Sequence, residues 1–130
     1  MHGNIDTILA LAKRNIQTNP TIAKKSVESV VTRYIEEIAK EAAEVLPEVK
    51  EQNAIHLTDE LGDVFWDFIN LVSLCADRGL IDSVDDVFIA AVDKYTERSK
   101  AFSESNDEKW NEIKGVQKAR LAKKHTYRYG

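Results

Sequence analysis

The chain has 130 residues, 43% hydrophobic and 31% charged, with a formal net charge of −4. That is enough chain for one buried core, and the acid excess excludes a surface built to coat nucleic acid. The lone cysteine, Cys75, excludes an intramolecular disulfide, and no apolar run reaches the length of a membrane span.

Glycine and proline are scarce, 5 and 2, which predicts long elements and few turns. The hydrophobic spacing is helical throughout, so the expected fold is all-α. It is an antiparallel helical bundle of four to five helices that oligomerises through its central helices. The opening MHGNIDTILALAKRN is polar and amphipathic and does not read as a signal peptide. With the single cysteine, that points to the cytoplasm.

Residues 4 to 17 predict a first helix, with Ile5, Ile8, Leu9, Ala12 and Ile16 on one face. Asn19-Pro20 stops it, because the residue before a proline disfavours helical geometry. Ser26 is a capping residue for a second helix running toward residue 50. Pro47 predicts a kink or short break there. Gln52-Asn53-Ala54 is a short connection, which makes antiparallel neighbours. A third helix is expected over 56 to 78, with Asn53 or Thr58 as its start and Arg78-Gly79 as its stop. It is apolar nearly all round, Trp66 and Ile69 included, so it should be buried on several sides and form a subunit interface.

A fourth helix is expected over 84 to 102, opened by a Ser83-x-x-Asp86 capping box. Lys94 and Arg98 lie four apart at the edge of its apolar arc. They read either as snorkelling surface cations or as a clamp for a polyphosphate. After Ser103-Glu104-Ser105-Asn106 comes an amphipathic segment with Trp110, Ile113, Val116 and Leu121. From Gln117 onward its charges are all basic: Lys118, Arg120, Lys123, Lys124 and Arg128. That tail reads as a solvated end or as a flap reaching a phosphate.

The chemistry lies in the second and third helices. Glu41 and Glu44 stand three apart, as do Glu60 and Asp63. Residues three or four apart share a helix face, so an antiparallel pair can bring these acids together. They border the apolar arcs, within a stripe of Glu37, Glu41, Glu44 and Glu48 on one helix and Glu60, Asp63, Asp67 and Asn70 on the other. Carboxylates crowded beside an apolar face repel and resist ionisation. A hard divalent cation relieves that strain, so Glu41, Glu44, Glu60 and Asp63 are the candidate ligands. Mg2+ is the expected metal, with Mn2+ able to substitute. One Glu-x-x-Glu alone would be an ordinary solvated face. His56, four before Glu60, is a further candidate contact. No Gly-rich phosphate loop, Ser-His-Asp set or Glu-x-x-His is present.

The segments YIEEIAKEAAEV and DELGDV resemble the ExxE…ExxD motif of the MazG family of nucleoside triphosphate pyrophosphohydrolases. KYTERSKAF at 94 to 102, WNEIK at 110 to 114, and Asn70 after Asp63 extend the likeness over roughly residues 26 to 115. The resemblance implies one domain over 1–130, with its core at about 22–102 and a basic segment at about 106–130. It implies an all-α homodimer or dimer of dimers that hydrolyses an NTP or dNTP, with Mg2+, to the monophosphate and pyrophosphate. Residue by residue, Glu41, Glu44, Glu60 and Asp63 would ligate the metal and catalyse. Lys94, Arg98 and Lys114 would meet the phosphates, with Trp110 and Asn70 near the nucleotide. Nucleotide-pool cleansing would be the purpose. Many members begin the first motif with two glutamates, whereas Lys40 precedes Glu41 here; Glu37, one turn earlier, is the candidate replacement. Two other readings are phosphoribosyl-ATP pyrophosphohydrolase and a non-catalytic helical oligomer that binds a partner.

Overall fold

A computed structural model describes residues 2–103 and 107–130. Among them are six α-helices and two 3-10 turns, and no strand. The link read at 103 to 106 lies largely outside the described residues. The chain groups into two compact units, residues 1–84 and 85–130.

In the first unit, α1 (His2–Thr18) is followed directly by the single-turn α2 (Pro20–Ala23). Asn19 separates them. Its side-chain oxygen accepts from the Thr21 amide at 3.1 Å, and Pro20 takes the first helical position, where no amide is needed. Ser26 caps α3 (Val27–Val45), its hydroxyl accepting from Ser29 N at 3.2 Å. The core is Ile16, Ile22, Val30, Tyr34 and Leu74, with Val31 and Leu71 packed on it.

Pro47 breaks the second long helix as its chemistry requires: α3 ends at Val45, and Leu46–Glu48 tighten into a 3-10 turn. Asn53 does not cap the next helix with its side chain. Its Nδ2 instead donates backward to Glu48 O at 2.8 Å and Glu48 Oε2 at 2.6 Å, closing the turn. The chain reverses through Gln52, which adopts a left-handed φ of 54°.

The next helix, α4 (Ala54–Asp77), starts two residues before the expected 56, and Thr58 falls inside it. Gly79, with φ 74°, terminates it: Gly79 N bonds Ala76 O and Leu80 N bonds Cys75 O. That is the Schellman arrangement, which needs a residue free to adopt positive φ. Burial on α4 is confined to Ile69, Asn70, Val72, Ser73 and Leu74. Toward its N-terminus Leu61, Phe65 and Phe68 remain 51, 43 and 40% exposed. Cys75 is half-buried, and burial pushes its thiol pKa up.

In the second unit, α5 (Val84–Arg98) gives way to a 3-10 turn, Ser99–Ala101, so the α-helix stops short of the expected 102. At this turn the Ser99 hydroxyl donates to the Thr96 carbonyl, a local bond that competes with the helical ladder. The last helix, α6 (Glu108–Tyr129), runs through the basic tail, which is helical rather than frayed. Its expected apolar face is only partly used, because Val116 and Leu121 stay exposed while Gln117 is buried.

Candidate metal centre

Helices α3 and α4 run antiparallel across the short turn, and their acidic stripes meet along one seam. Three steps can be followed by the repulsions that raise carboxylate pKa values. Glu60 feels Glu44, Glu41 feels Asp63, and Asp67 feels Glu37. The fourth step is neutral: Asn15 of α1 donates to both Tyr34 of α3 and Asn70 of α4. The steps descend three or four residues on one helix as they climb three or four on the other, as two antiparallel helices demand.

Two groups of oxygens close up along this seam. One carboxylate oxygen from each of Glu41, Glu60 and Asp63 lies within 4.8 Å of the other two; the same holds for Glu37, Glu41 and Asp67. Glu41 belongs to both. Its pKa is raised first by desolvation, then by the charge and hydrogen bonding of Glu44, and then by Asp63 and Asp67. Desolvation also leads for Glu60, ahead of Glu44 and Asp63, and for Asp67, ahead of Glu37 and Asp63.

Two ion pairs, Arg78–Asp77 and Arg120–Glu97, involve no seam acid. Glu60 Oε2 is buried with no hydrogen-bond partner. A buried, unpaired carboxylate oxygen is costly, and a cation would satisfy it. The donor set is all carboxylate oxygen, hard and anionic, which suits Mg2+, Mn2+ or Ca2+ over softer metals.

Of the expected ligands, Glu41, Glu60 and Asp63 come together directly. Glu44 is exposed and joins through its field on Glu41 and Glu60. Sequence reasoning left Asp67 out of the ligand set, although it lies four after Asp63 on the same stripe. It had Glu37 only as a stand-in for an absent acid. His56 is exposed in the first turn of α4 and belongs to neither oxygen group. Asn70 is 0% exposed. Its oxygen accepts from Asn15 at 2.8 Å and its nitrogen donates to Trp66 O at 2.8 Å.

The other expected binding residues belong to the second unit. Arg98 is no surface cation. It is 7% exposed, its Nε donates to Gln117 Oε1 at 2.8 Å, and its guanidinium lies 5.4 and 5.2 Å from the ring centres of Tyr95 and Trp110. Trp110 also packs against Phe102, centroids 6.2 Å apart. Gln117 returns its amide to Lys94 O and to Glu97 Oε1, each at 3.0 Å. Nothing in the hydrophobic pattern marks Gln117 as buried, and only its place on the apolar arc of α6 could have hinted at it. The side chains of Lys94 and Lys114 are half-buried. Lys94 lines a cleft of about 350 Å³ with Asp93, Glu97, Arg120 and Lys124.

No curated protein and no solved structure gives a significant match to this sequence. A family model does match, described as the MazG nucleotide pyrophosphohydrolase domain, over residues 29–103. That span includes every acid of the seam and more than half of the chain, and the chain therefore belongs to the MazG nucleotide pyrophosphohydrolase family.

Proposed function

We propose that this protein is a Mg2+-dependent nucleoside triphosphate pyrophosphohydrolase. It cleaves the bond between the α- and β-phosphates, with dNTPs the foremost substrates, and yields the monophosphate and pyrophosphate. The observation that supports this most is the pair of carboxylate-oxygen groups sharing Glu41, together with the buried, unpartnered Oε2 of Glu60. Glu41, Glu60 and Asp63 would hold a cation directly and Glu44 would complete the set; Glu37 and Asp67 offer a second position beside it. A cation held there neutralises phosphate charge and makes water a better nucleophile.

The rest falls to the chain's own residues. The seam carboxylates would hold the ion that meets the phosphates, and a carboxylate beside the attacking water would take its proton. Lys94 and Lys114 are assigned to the phosphates on the family resemblance, and Trp110 to the nucleotide end; Arg98, which the resemblance also places at the phosphates, is enclosed by Tyr95, Trp110 and Gln117 and acts through them. Asn70 is enclosed, so its contribution passes through the helices it joins. Leu61, Phe65 and Phe68, four and three residues apart, leave an exposed apolar stripe along one face of α4. It supports a homodimer, or a dimer of dimers; action in the cytoplasm on the nucleotide pool rests on the family resemblance alone.

The test is pyrophosphate release with Mg2+ across the canonical dNTPs and NTPs, several modified dNTPs and phosphoribosyl-ATP. The reading expects release from dNTPs that Glu41→Gln and Asp63→Asn abolish without unfolding the protein. Release from phosphoribosyl-ATP alone would favour the related enzyme. Near-full activity in both variants would place the site elsewhere.

A further inference from the structure

The seam's fourth step carries no charge, and a helix outside the family-matched segment closes it. Asn15 lies on α1, fourteen residues before the matched span begins. Its Nδ2 donates to Asn70 Oδ1 at 2.8 Å and to Tyr34 OH at 3.3 Å. Its own oxygen accepts from Asn19 Nδ2 at 2.9 Å. Asn19 in turn is fixed by capping α2. Both ends of the Asn15 amide are therefore engaged, and the group cannot turn without breaking a bond. Asn70 is equally committed, its nitrogen bonded to Trp66 O one turn back.

Position gives this network its consequence. Tyr34 lies one turn before Glu37 on α3, and Asn70 lies one turn after Asp67 on α4. Tyr34 and Asn70 are both buried, whereas Glu44 and Asp63 are exposed. The acidic steps repel one another and cannot hold their own spacing without an ion. A slide or rotation of α4 along α3 would separate their oxygens. The neutral step ties α1, α3 and α4 together by hydrogen bonds, whereas the acidic steps set carboxylate against carboxylate across the two helices.

We infer that Asn15 is a positioning residue for the cation site: by tying Tyr34 to Asn70 it holds the Glu37–Asp67 and Glu41–Asp63 steps in ligating register. This rests on the cation-site reading above. A loose site must pay for ordering its ligands when the ion arrives, so it binds more weakly even if the protein stays folded.

The experiment is a calorimetric Mg2+ titration at a temperature well below every variant's unfolding midpoint. Asn15→Leu keeps the volume and removes all three bonds. Ile16→Ala, on the adjacent core residue, destabilises the same helix and leaves the network intact. Tyr34→Phe removes one partner and nothing else. Asn15→Leu should weaken Mg2+ binding about 10-fold or more, the range for residues that orient metal ligands. Tyr34→Phe should weaken it less, and Ile16→Ala should match the wild type despite a lower midpoint. If Asn15→Leu does not fold, Asn15→Asp replaces it, since it keeps the acceptor for Asn19 and loses the donor to Asn70. Equal affinity in all variants overturns the inference, as does equal weakening by Ile16→Ala, which would reduce Asn15 to a packing role. Absence of saturable Mg2+ binding by the wild type itself overturns the cation reading, and the inference with it.

Discussion

Each unit of this protein carries a cluster of buried or half-buried polar side chains, and the two clusters treat their carboxylates in opposite ways. In the seam of α3 and α4, Glu41, Glu60 and Asp67 are all pushed above the ordinary carboxylate range. In the α5–α6 unit, Glu97 is pulled below it, first by the Gln117 amide and then by Arg120. Desolvation opposes ionisation in both places. What differs is the company: Glu97 has donors, while the seam acids have chiefly one another. An acid with donors in place is structural. A set of acids without them is what the proposed cation would complete. The charge distribution follows the same division. Residues 1–84 hold 14 Asp and Glu against 8 Lys and Arg, and residues 85–130 hold 8 against 10.

The largest expected effect breaks the seam at its shared member. Glu41→Gln should cut Mg2+-dependent pyrophosphate release about 1000-fold or more, since a catalytic metal supplies several kcal/mol of transition-state stabilisation. The same variant should unfold at an equal or higher temperature than the wild type in EDTA, because it removes repulsion. Steady-state kinetics and a thermal melt check the two halves. A large loss of metal-free stability would make Glu41 structural and erase the contrast.

Next comes the opposite cluster. Gln117→Leu leaves the buried Arg98 Nε without its acceptor and Glu97 without its main donor. It should cost about 2–3 kcal/mol in urea unfolding, the range for hydrogen bonds to charged groups. Its Mg2+ affinity should be unchanged.

The pH dependence should carry both signs. Glu41, Glu60 and Asp67 bind protons more tightly when folded, so their stabilising contribution is complete below the ordinary carboxylate pKa. It is lost as pH rises through their raised values. Glu97 binds protons less tightly when folded. Its contribution is present above the ordinary value and is lost as pH falls through its lowered one. Melting midpoints across pH 3 to 8 in EDTA should therefore show opposing contributions. Mg2+ should raise the midpoint most at the upper end, where the seam is ionised.

The smallest effect sharpens the assignment of Glu97. Arg120 meets Glu97 at 3.4 and 3.5 Å, and its side chain is mostly solvent-exposed. Arg120→Gln should thus cost about 1 kcal/mol or less by the same unfolding assay, as exposed pairs do.

Much of this was legible in the sequence, for identifiable reasons. The acid stripes could be read because helical periodicity fixes which residues share a face, and an acid beside an apolar arc differs from one opposite it. Pro47, Ser26 and Gly79 announced a break, a cap and a stop, because each acts on the backbone locally. Asp67 was visible on the stripe but not as a ligand candidate, since pairing across the seam depends on the register of two helices. Asn15 and Gln117 were not singled out, although Gln117 lies on the apolar arc of α6. A buried amide is chosen by its neighbours from other helices, and no local spacing marks it. Arg98 shows the same limit: its spacing from Lys94 suggested a surface pair, yet Tyr95, Trp110 and Gln117 enclose it.

The most direct test of the central claim is the Mg2+ titration of the wild-type protein against Glu41→Gln at neutral pH. Saturable binding by the wild type, lost in the variant while its helical circular dichroism is retained, is what a cation-completed seam predicts. No saturable heat in the wild type, or equal binding by both proteins, would contradict it.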